Sequence, residues 1–155
     1  MGIIEGPGII DGAWERVRRR RVTITSAELL ALNATPIAIL PAPGAGFANI
    51  FVGALVRKPA GTAYAGIAAG EDLSVKYTDG SGAEVAACET TGFLDSTADQ
   101  IRYVRAHAPD GAGVDSAITP VANAAMVLHL LVGEIITGDS DLILEVLYHV
   151  VPTAI

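Results

Sequence analysis

Residues 73–90 have the sequence LSVKYTDGSGAEVAACET, and this stretch determines the fold class that the chain predicts. Leu73, Val75 and Tyr77 alternate with polar residues, as expected of a half-buried β-strand. The segment 78–82 is rich in Asp, Ser and Gly, residue types that favour tight turns and tolerate positive φ angles. Apolar residues return over Glu84–Thr90. The stretch therefore predicts a β-hairpin, two strands joined by a short turn.

Alternation with a period of two recurs along the chain and predicts six further strands. These are Val22–Thr25, Pro36–Leu40, Ala48–Lys58, Ile101–Arg105, Ala124–Val132 and Leu142–Val151. Residues 26–33 fit either a strand or a turn of helix. Because no long helical pattern separates the strands, a parallel α/β sheet is disfavoured. The predicted fold is all-β: an eight-stranded antiparallel sandwich, with a jelly roll as the preferred topology and another sandwich or a partly closed barrel as the alternative.

Two of these strands are apolar on both faces. Strict alternation along Ala48–Lys58 places Ala54 and Val56 on one face and Phe51 and Leu55 on the other. In the last strand, one face carries Leu142, Leu144, Val146, Tyr148 and Val150, and the other carries Ile143, Leu147 and Val151 beside Glu145 and His149. One face must be core, and the second is too apolar for open water. That second face is expected to meet a loop, the arm or another subunit; of these we favour a subunit interface through Ile143, Leu147 and Val151.

The charge is unevenly distributed, with a basic N-terminal arm before an acidic body. The net charge is −7, and residues 1–21 contain five arginines against three acidic residues. Residues 22–155 contain five basic and 14 acidic residues. Glycine and proline punctuate the first twelve positions and argue against regular structure there. We predict two regions, an extended basic arm over 1–21 and a β-sandwich domain over 22–155.

Such a charge asymmetry predicts a partner for the arm. The residues expected to contact it are Trp14, Arg16, Arg18, Arg19, Arg20 and Arg21. Arginine pairs bidentately with carboxylates, whereas the acidic body would repel phosphate, so a protein surface is favoured over nucleic acid. Trp14 is the only tryptophan in the chain, and it either anchors the arm on a neighbouring surface or folds back onto its own domain.

The usual signatures of catalysis and of metal binding are missing from the sequence. No Gly-x-Ser-x-Gly elbow is present, His129 lies in an apolar run that predicts a packed or hydrogen-bonded histidine, and Cys88 is a single cysteine expected to be buried. Asp139-Ser140-Asp141 fits an ordinary turn better than a calcium site. No apolar run is long enough to cross a membrane. We expect no enzymatic activity, no cofactor, no metal, and neither a nucleic acid nor a membrane as partner.

Several stretches resemble small virion proteins of tailed bacteriophages. They are VTITSA (22–27), LNATP (32–36), PAPGAG (41–46), GTAY (61–64), LSVKYTDGSG (73–82), TGFLD (91–95) and GDSDL (138–142), within a similarity over roughly residues 22–151. The resemblance implies a capsid decoration, or cement, protein with a jelly-roll fold and no active site. Such a protein is made in the host cytoplasm and binds the major capsid protein on the outside of the head. It is often a homotrimer whose arms grip neighbouring capsomers.

A second class of function stays open at this stage. Related virion chains serve as tail, neck or fibre modules that bind a receptor or a glycan through loop aromatics. In this chain, Tyr64 and the loop 109–120 are the candidates for such a role. The low aromatic content, 5% of residues, disfavours recognition of sugars by stacking.

Overall fold

In the computed structural model, the structure describes residues 16–106 and 119–154. These residues form eight strands and one short helix: β1 Arg18–Ile24, α1 Ser26–Leu30, β2 Ile37–Leu40, β3 Phe47–Lys58, β4 Asp72–Tyr77, β5 Glu84–Glu89, β6 Gln100–Arg105, β7 Met126–Leu130 and β8 Leu142–Pro152. Within the described part of the chain, no helix is long and apolar enough to span a membrane. The predicted all-β class is confirmed.

The strands form two four-stranded antiparallel sheets, which confirms the predicted sandwich. One sheet has the order β1-β8-β3-β6, and the other has the order β2-β7-β4-β5. The predicted hairpin is present as β4 and β5, with Leu73 opposite Cys88. The pairs β1–β8, β2–β7, β3–β6 and β4–β5 all occur, so the first strand pairs with the last and the pairing proceeds inward along the chain.

The core lies between the sheets and follows from period-two alternation. Leu142, Leu144 and Val146 of β8 are buried, as predicted for one face of that strand. In β3, both Phe51 and Ala54 are buried, although simple alternation places them on opposite faces. A bulge between Phe51 and Gly53 inserts one extra residue and resets the alternation. The prediction that Phe51 faces away from Ala54 is therefore wrong.

The ambiguous segment 26–33 begins with a helix. Thr25 is the N-cap residue, and its hydroxyl accepts a hydrogen bond from the Glu28 backbone N–H at 3.3 Å. The Glu28 carboxylate in turn accepts from the Thr25 backbone N–H at 2.8 Å. This reciprocal capping box stabilises the first turn and selects a helix over a strand.

The first strand begins earlier than predicted, at Arg18 instead of Val22. Arg18–Arg21 pair in register with β8, so these four arginines belong to the sandwich and not to an arm that precedes it. The predicted boundary at residue 21 is therefore corrected to the start of β1. Trp14 and the rest of 1–15 lie outside the described residues.

Candidate interaction face

The outer surface of the sheet β1-β8-β3-β6 is built from residues far apart in sequence. Cross-strand partners share a face, so the strand registers define three rows across the sheet. The rows are Thr23–Ile143–Arg57–Ile101, Arg21–Glu145–Leu55–Tyr103 and Arg19–Leu147–Gly53–Arg105. We call this surface, defined by these three rows, the arginine face.

The arginine face combines exposed apolar groups with positive charge. Ile101 and Tyr103 are 55% and 58% exposed, and Ile143, Leu147 and Leu55 are half-buried. Its three rows contain four arginines and one carboxylate, Glu145, in a chain whose net charge is −7. A contiguous apolar patch rimmed by polar residues is typical of an interaction site.

Glu145 offsets one of these four positive charges and binds Arg19 only weakly. Its carboxylate lies 3.7 Å from the guanidinium of Arg19, and the two side chains are 28% and 68% exposed. Ion pairs with this degree of exposure stabilise a protein by at most about 1 kcal/mol. The arginines are therefore available to carboxylates of a partner.

A glycine allows the central aromatic residue to lie on the sheet. A Cβ atom at Gly53 would come within 2.9 Å of both the Tyr103 hydroxyl and the Val104 carbonyl oxygen. Because Gly53 has no side chain, the Tyr103 ring of β6 can lie over strand β3 at that position. A glycine inside a long strand is the one sequence signal for this feature.

Two sets of predicted site residues converge on this single face. Ile143 and Leu147, predicted for a subunit interface, share it with Arg19 and Arg21, predicted for a capsid contact. Val151 has the same orientation farther along β8, opposite Ala48 and beyond the three rows.

The other predicted arm residues lie off this face. Arg18 and Arg20 are paired with Tyr148 and Val146 and so point to the opposite side of the sheet. Arg16 is exposed ahead of β1, and Trp14 is outside the described residues. The alternation of β1 therefore divides the arginine run between two sides of the sheet.

The outer surface of the second sheet is different, because its polar groups are paired with each other. The Lys76 ammonium donates to the Gly80 carbonyl at 2.7 Å and contacts His129 Nδ1 at 3.3 Å. Since an ammonium can only donate, Nδ1 is the acceptor, and the protonated Nε2 donates to the Asn33 carbonyl at 3.1 Å. The interpretation of His129 as a hydrogen-bonded histidine is confirmed.

One end of the sandwich is held by a buried lysine. Lys58 is 1% exposed, and its ammonium donates to the Ser96 carbonyl at 2.7 Å and to the Pro59 carbonyl at 3.4 Å. Burial lowers the pKa of Lys58, and the nearby carboxylates of Asp139, Asp99 and Asp95 oppose that shift. The lysine thus ties β3 to the loops beside it.

The aspartates of the segment 138–142 bind polar groups of a neighbouring loop and of helix α1. The Asp139 carboxylate accepts from the backbone N–H and the hydroxyl of Thr62, at 2.7 and 2.8 Å, and these bonds lower its pKa. Asp141 accepts from the backbone N–H of Ser26 at 2.9 Å. Within residues 16–106 and 119–154, no group of three or more His, Cys, Asp or Glu side chains is arranged to hold a metal ion.

A shallow groove of about 420 Å³ lies between this segment and the end of the arginine face. It is lined by Thr23, Pro59, Ala60, Gly61, Asp139, Ser140, Asp141 and Ile143.

Three further candidates that the sequence singled out are Cys88, Tyr64 and the loop 109–120. Cys88 is buried as predicted, and burial raises the pKa of its thiol to about 11, so the reactive thiolate is disfavoured. Tyr64, a candidate for glycan binding, is 1% exposed with its hydroxyl bonded to the Ser140 carbonyl at 2.5 Å. That candidate is therefore wrong, because the ring is not accessible. Of the loop 109–120, the other candidate for glycan binding, residues 109–118 lie outside the described part of the chain.

Comparisons of the chain with protein-family models, with curated proteins and with solved structures found no significant match.

Proposed function

We propose that the chain is a virion structural protein that binds the outside of a bacteriophage head and stabilises it. Its partner in this proposal is the major capsid protein, and its contact surface is the arginine face. The observation that carries the proposal is the excess of arginine on an exposed apolar surface of a chain whose net charge is negative. Such a surface suits an acidic protein shell, which would bury the apolar groups and pair with the guanidinium groups.

The strand order supports this assignment. We infer a jelly roll from the orders β1-β8-β3-β6 and β2-β7-β4-β5, because folding a ribbon of the pairs β1–β8 to β4–β5 over itself yields these two sheets. Jelly rolls occur in viral capsid domains, which agrees with the resemblance of the sequence to virion proteins.

Co-sedimentation with shells assembled from the major capsid protein of the same genome tests the proposal. We expect saturable binding that weakens as salt increases, because exposed charges are screened. Arg57→Glu combined with Arg105→Glu places two negative charges on the arginine face, and we expect it to weaken binding by about tenfold or more.

The matched control is Arg18→Glu combined with Arg20→Glu, which makes the same charge change on the other side of the sheet. We expect this variant to retain most of the binding. A wild-type chain that stays in the supernatant at every shell concentration would refute the proposal. An equal loss in both double variants would show that only net charge matters and would refute the assignment to the arginine face.

The proposed protein is a homotrimer, and its subunit contact needs a surface of its own. The predicted subunit interface through Ile143, Leu147 and Val151 competes with this assignment, because Ile143 and Leu147 share the face that we assign to the shell. We therefore propose instead a trimer contact at the exposed loop side chains Leu131, Val132 and Ile136. Light scattering after gel filtration is expected to give three times the 15.9 kDa of one chain. Ile136→Asp should yield monomers, whereas a trimer unchanged by this substitution would contradict the placement.

A further inference from the structure

Each sheet of the sandwich ends in two edge strands, and three of these four edges carry a feature that discourages pairing with a further strand. Strand β1 begins with four arginines, β2 is four residues long, and the register of β5 with β4 shifts. Charge, short length and bulges are means by which proteins protect an edge. Strand β6 differs, because it pairs with β3 without a register shift along Gln100–Arg105 and presents the exposed side chains of Ile101 and Tyr103.

The alternation of backbone hydrogen bonds shows which groups of β6 are directed to its outer edge. In an antiparallel pair, every second residue directs its N–H and C=O to the neighbouring strand. The Thr153 N–H donates to the Gly46 carbonyl at 2.9 Å, so every second residue of β8 counted back from Thr153 is directed to β3. Leu147 is one of these, and its partner Gly53 is therefore directed to β8. The next residue of β3 is then directed to β6.

Three residues of β6 combine an outward backbone with a side chain on the arginine face. Ala54, the residue after Gly53, is opposite Val104, so Val104 directs its backbone groups to β3. Its alternate neighbours Ile101, Tyr103 and Arg105 therefore direct theirs to the outer edge. A strand added at this edge would bond to these three residues and place its own alternate side chains beside theirs.

The loop that precedes β6 holds the charge of Arg102. The guanidinium donates to the Gly92 carbonyl at 2.8 Å, and it lies 5.4 Å from the centre of the Phe93 ring. It also donates to the Ile101 carbonyl at 3.4 Å, which agrees with a carbonyl that is directed away from β3. In the described part of the chain, β3 is the only strand that pairs with β6. The outward N–H groups of the strand are therefore suited to bind a partner.

We propose that the shell contributes an extended segment that pairs with β6 as a fifth strand of this sheet. In recognition by strand addition, main-chain hydrogen bonds give affinity and alternate side chains give specificity. Cross-strand pairing requires a carboxylate beside Arg105 and apolar side chains beside Tyr103 and Ile101. This inference rests on the proposed function, and it names the kind of segment that the arginine face recognises.

A proline in β6 tests the main-chain bonds separately from the side chains. Ile101→Ala removes the apolar side chain, whereas Ile101→Pro also removes the outward N–H. Proline is accepted on an edge strand where its missing N–H would face outward. In co-sedimentation, Ile101→Pro should bind shells about tenfold more weakly than Ile101→Ala, because a carbonyl of the added segment loses its donor. Equal binding by the two variants would overturn the proposal.

The opposite edge of the sheet supplies the matched control. By the same alternation Ile143 is directed to β3, so its partner Thr23 directs its N–H to the outer edge of β1. Thr23→Pro and Thr23→Ala should therefore bind shells equally. A loss caused by Thr23→Pro as large as that caused by Ile101→Pro would overturn the assignment of the segment to β6.

Hydrogen exchange of the wild-type protein tests the same bonds without a substitution. In the free protein, the amides of Ile101 and Tyr103 should exchange quickly and those of Arg102 and Val104 slowly, because only the second pair bonds to β3. On shells, the amides of Ile101 and Tyr103 should exchange more slowly by about tenfold or more. Unchanged exchange of these two amides in shell-bound protein would overturn the proposal, even if Ile101→Pro fails to fold.

Zero-length cross-linking tests the charge of the segment and identifies it. A carbodiimide joins an amine to a neighbouring carboxylate, so Arg105→Lys should become cross-linked to an aspartate or glutamate of the major capsid protein. Apolar residues should follow that carboxylate at every second position of its strand. Arg20→Lys, on the other side of the sheet, is the control and should give no product. A cross-link formed by both variants, or by neither, would overturn the acidic segment.

The outcomes separate this inference from the proposed function. A wild type that does not bind shells refutes both. Binding that depends on Arg57 and Arg105, but not on the outward N–H of Ile101, leaves the arginine face as the contact surface and refutes strand addition alone.

Discussion

Gly138→Ala is expected to lower the free energy of unfolding by about 3 kcal/mol. Gly138 has a φ of +97°, a conformation that costs an L-residue about 1–2 kcal/mol. In addition, a Cβ atom there would overlap the ring of Tyr64. That ring cannot easily move, because it is 1% exposed and its hydroxyl is bonded to Ser140 at 2.5 Å. Overpacking of this kind adds about 1–3 kcal/mol.

Gly44→Ala is the matched control for this substitution. Gly44 has a similar φ of +107°, but nothing lies within 4 Å of an added Cβ. It should therefore cost only the backbone strain, about 1–2 kcal/mol. Urea unfolding of both variants measures the difference in their free energies of unfolding. Equal losses at the two positions would show that overlap with the Tyr64 ring does not contribute to the destabilisation.

The protein is expected to lose stability steeply between about pH 10 and about pH 12. Burial raises the pKa of both Tyr64 and Tyr77 to about 12, above the ordinary value of 10, and the carboxylates of Asp141 and Asp139 add to the shift at Tyr64. The folded state therefore holds these protons more tightly than the unfolded state. The resulting stability is complete below the unfolded pKa and disappears as the pH rises through the folded one. We expect about 1–2 kcal/mol for each ring after allowing for solvent screening.

Replacing each buried tyrosine with phenylalanine tests the contribution of its hydroxyl separately. Tyr64→Phe removes the bond to Ser140, and Tyr77→Phe removes the 2.5 Å bond to the Asn49 carbonyl, so each variant should lose about 1 kcal/mol at neutral pH. Above pH 10, however, each should lose stability less steeply than the wild type. Tyr103→Phe, at an exposed ring, should follow the wild-type curve. If all three variants follow that curve, proton binding by the buried rings is not the cause.

The strands that could be predicted from sequence are those in which apolar and polar residues alternate, because one face of the strand packs on the core. In β4 and β5, one side of each strand faces the core, and the turn residues between them mark the hairpin. The segment Arg18–Arg21 gives no such signal, because all four side chains are exposed. Its strand conformation depends on pairing with Tyr148 to Glu145, more than 120 residues away in sequence. Local patterns carry no information about a pairing of that kind.

The residues of the candidate site could be predicted individually, but the surface that they share could not. The apolar Ile143 and Leu147 and the basic Arg19 and Arg21 were each recognisable in the sequence. Their common face depends on the register that places Arg21 opposite Glu145, and that register is set by the packing of the whole sheet. Likewise, nothing in the alternation of β3 indicated the bulge that turns both Phe51 and Ala54 inward.

The position of β8 inside its sheet has a consequence for biosynthesis. Of the eight strands, β8 is the last to leave the ribosome, yet it lies between β1 and β3. Before residues 142–152 emerge, β1 lacks its only neighbour in the sheet, and β3 is paired along one edge alone. A nascent chain at this stage displays open strand edges, which are templates for aggregation. Closure of the sheet therefore waits until β8 has been translated and joins distant parts of the chain, which makes slow, chaperone-sensitive folding the expected behaviour.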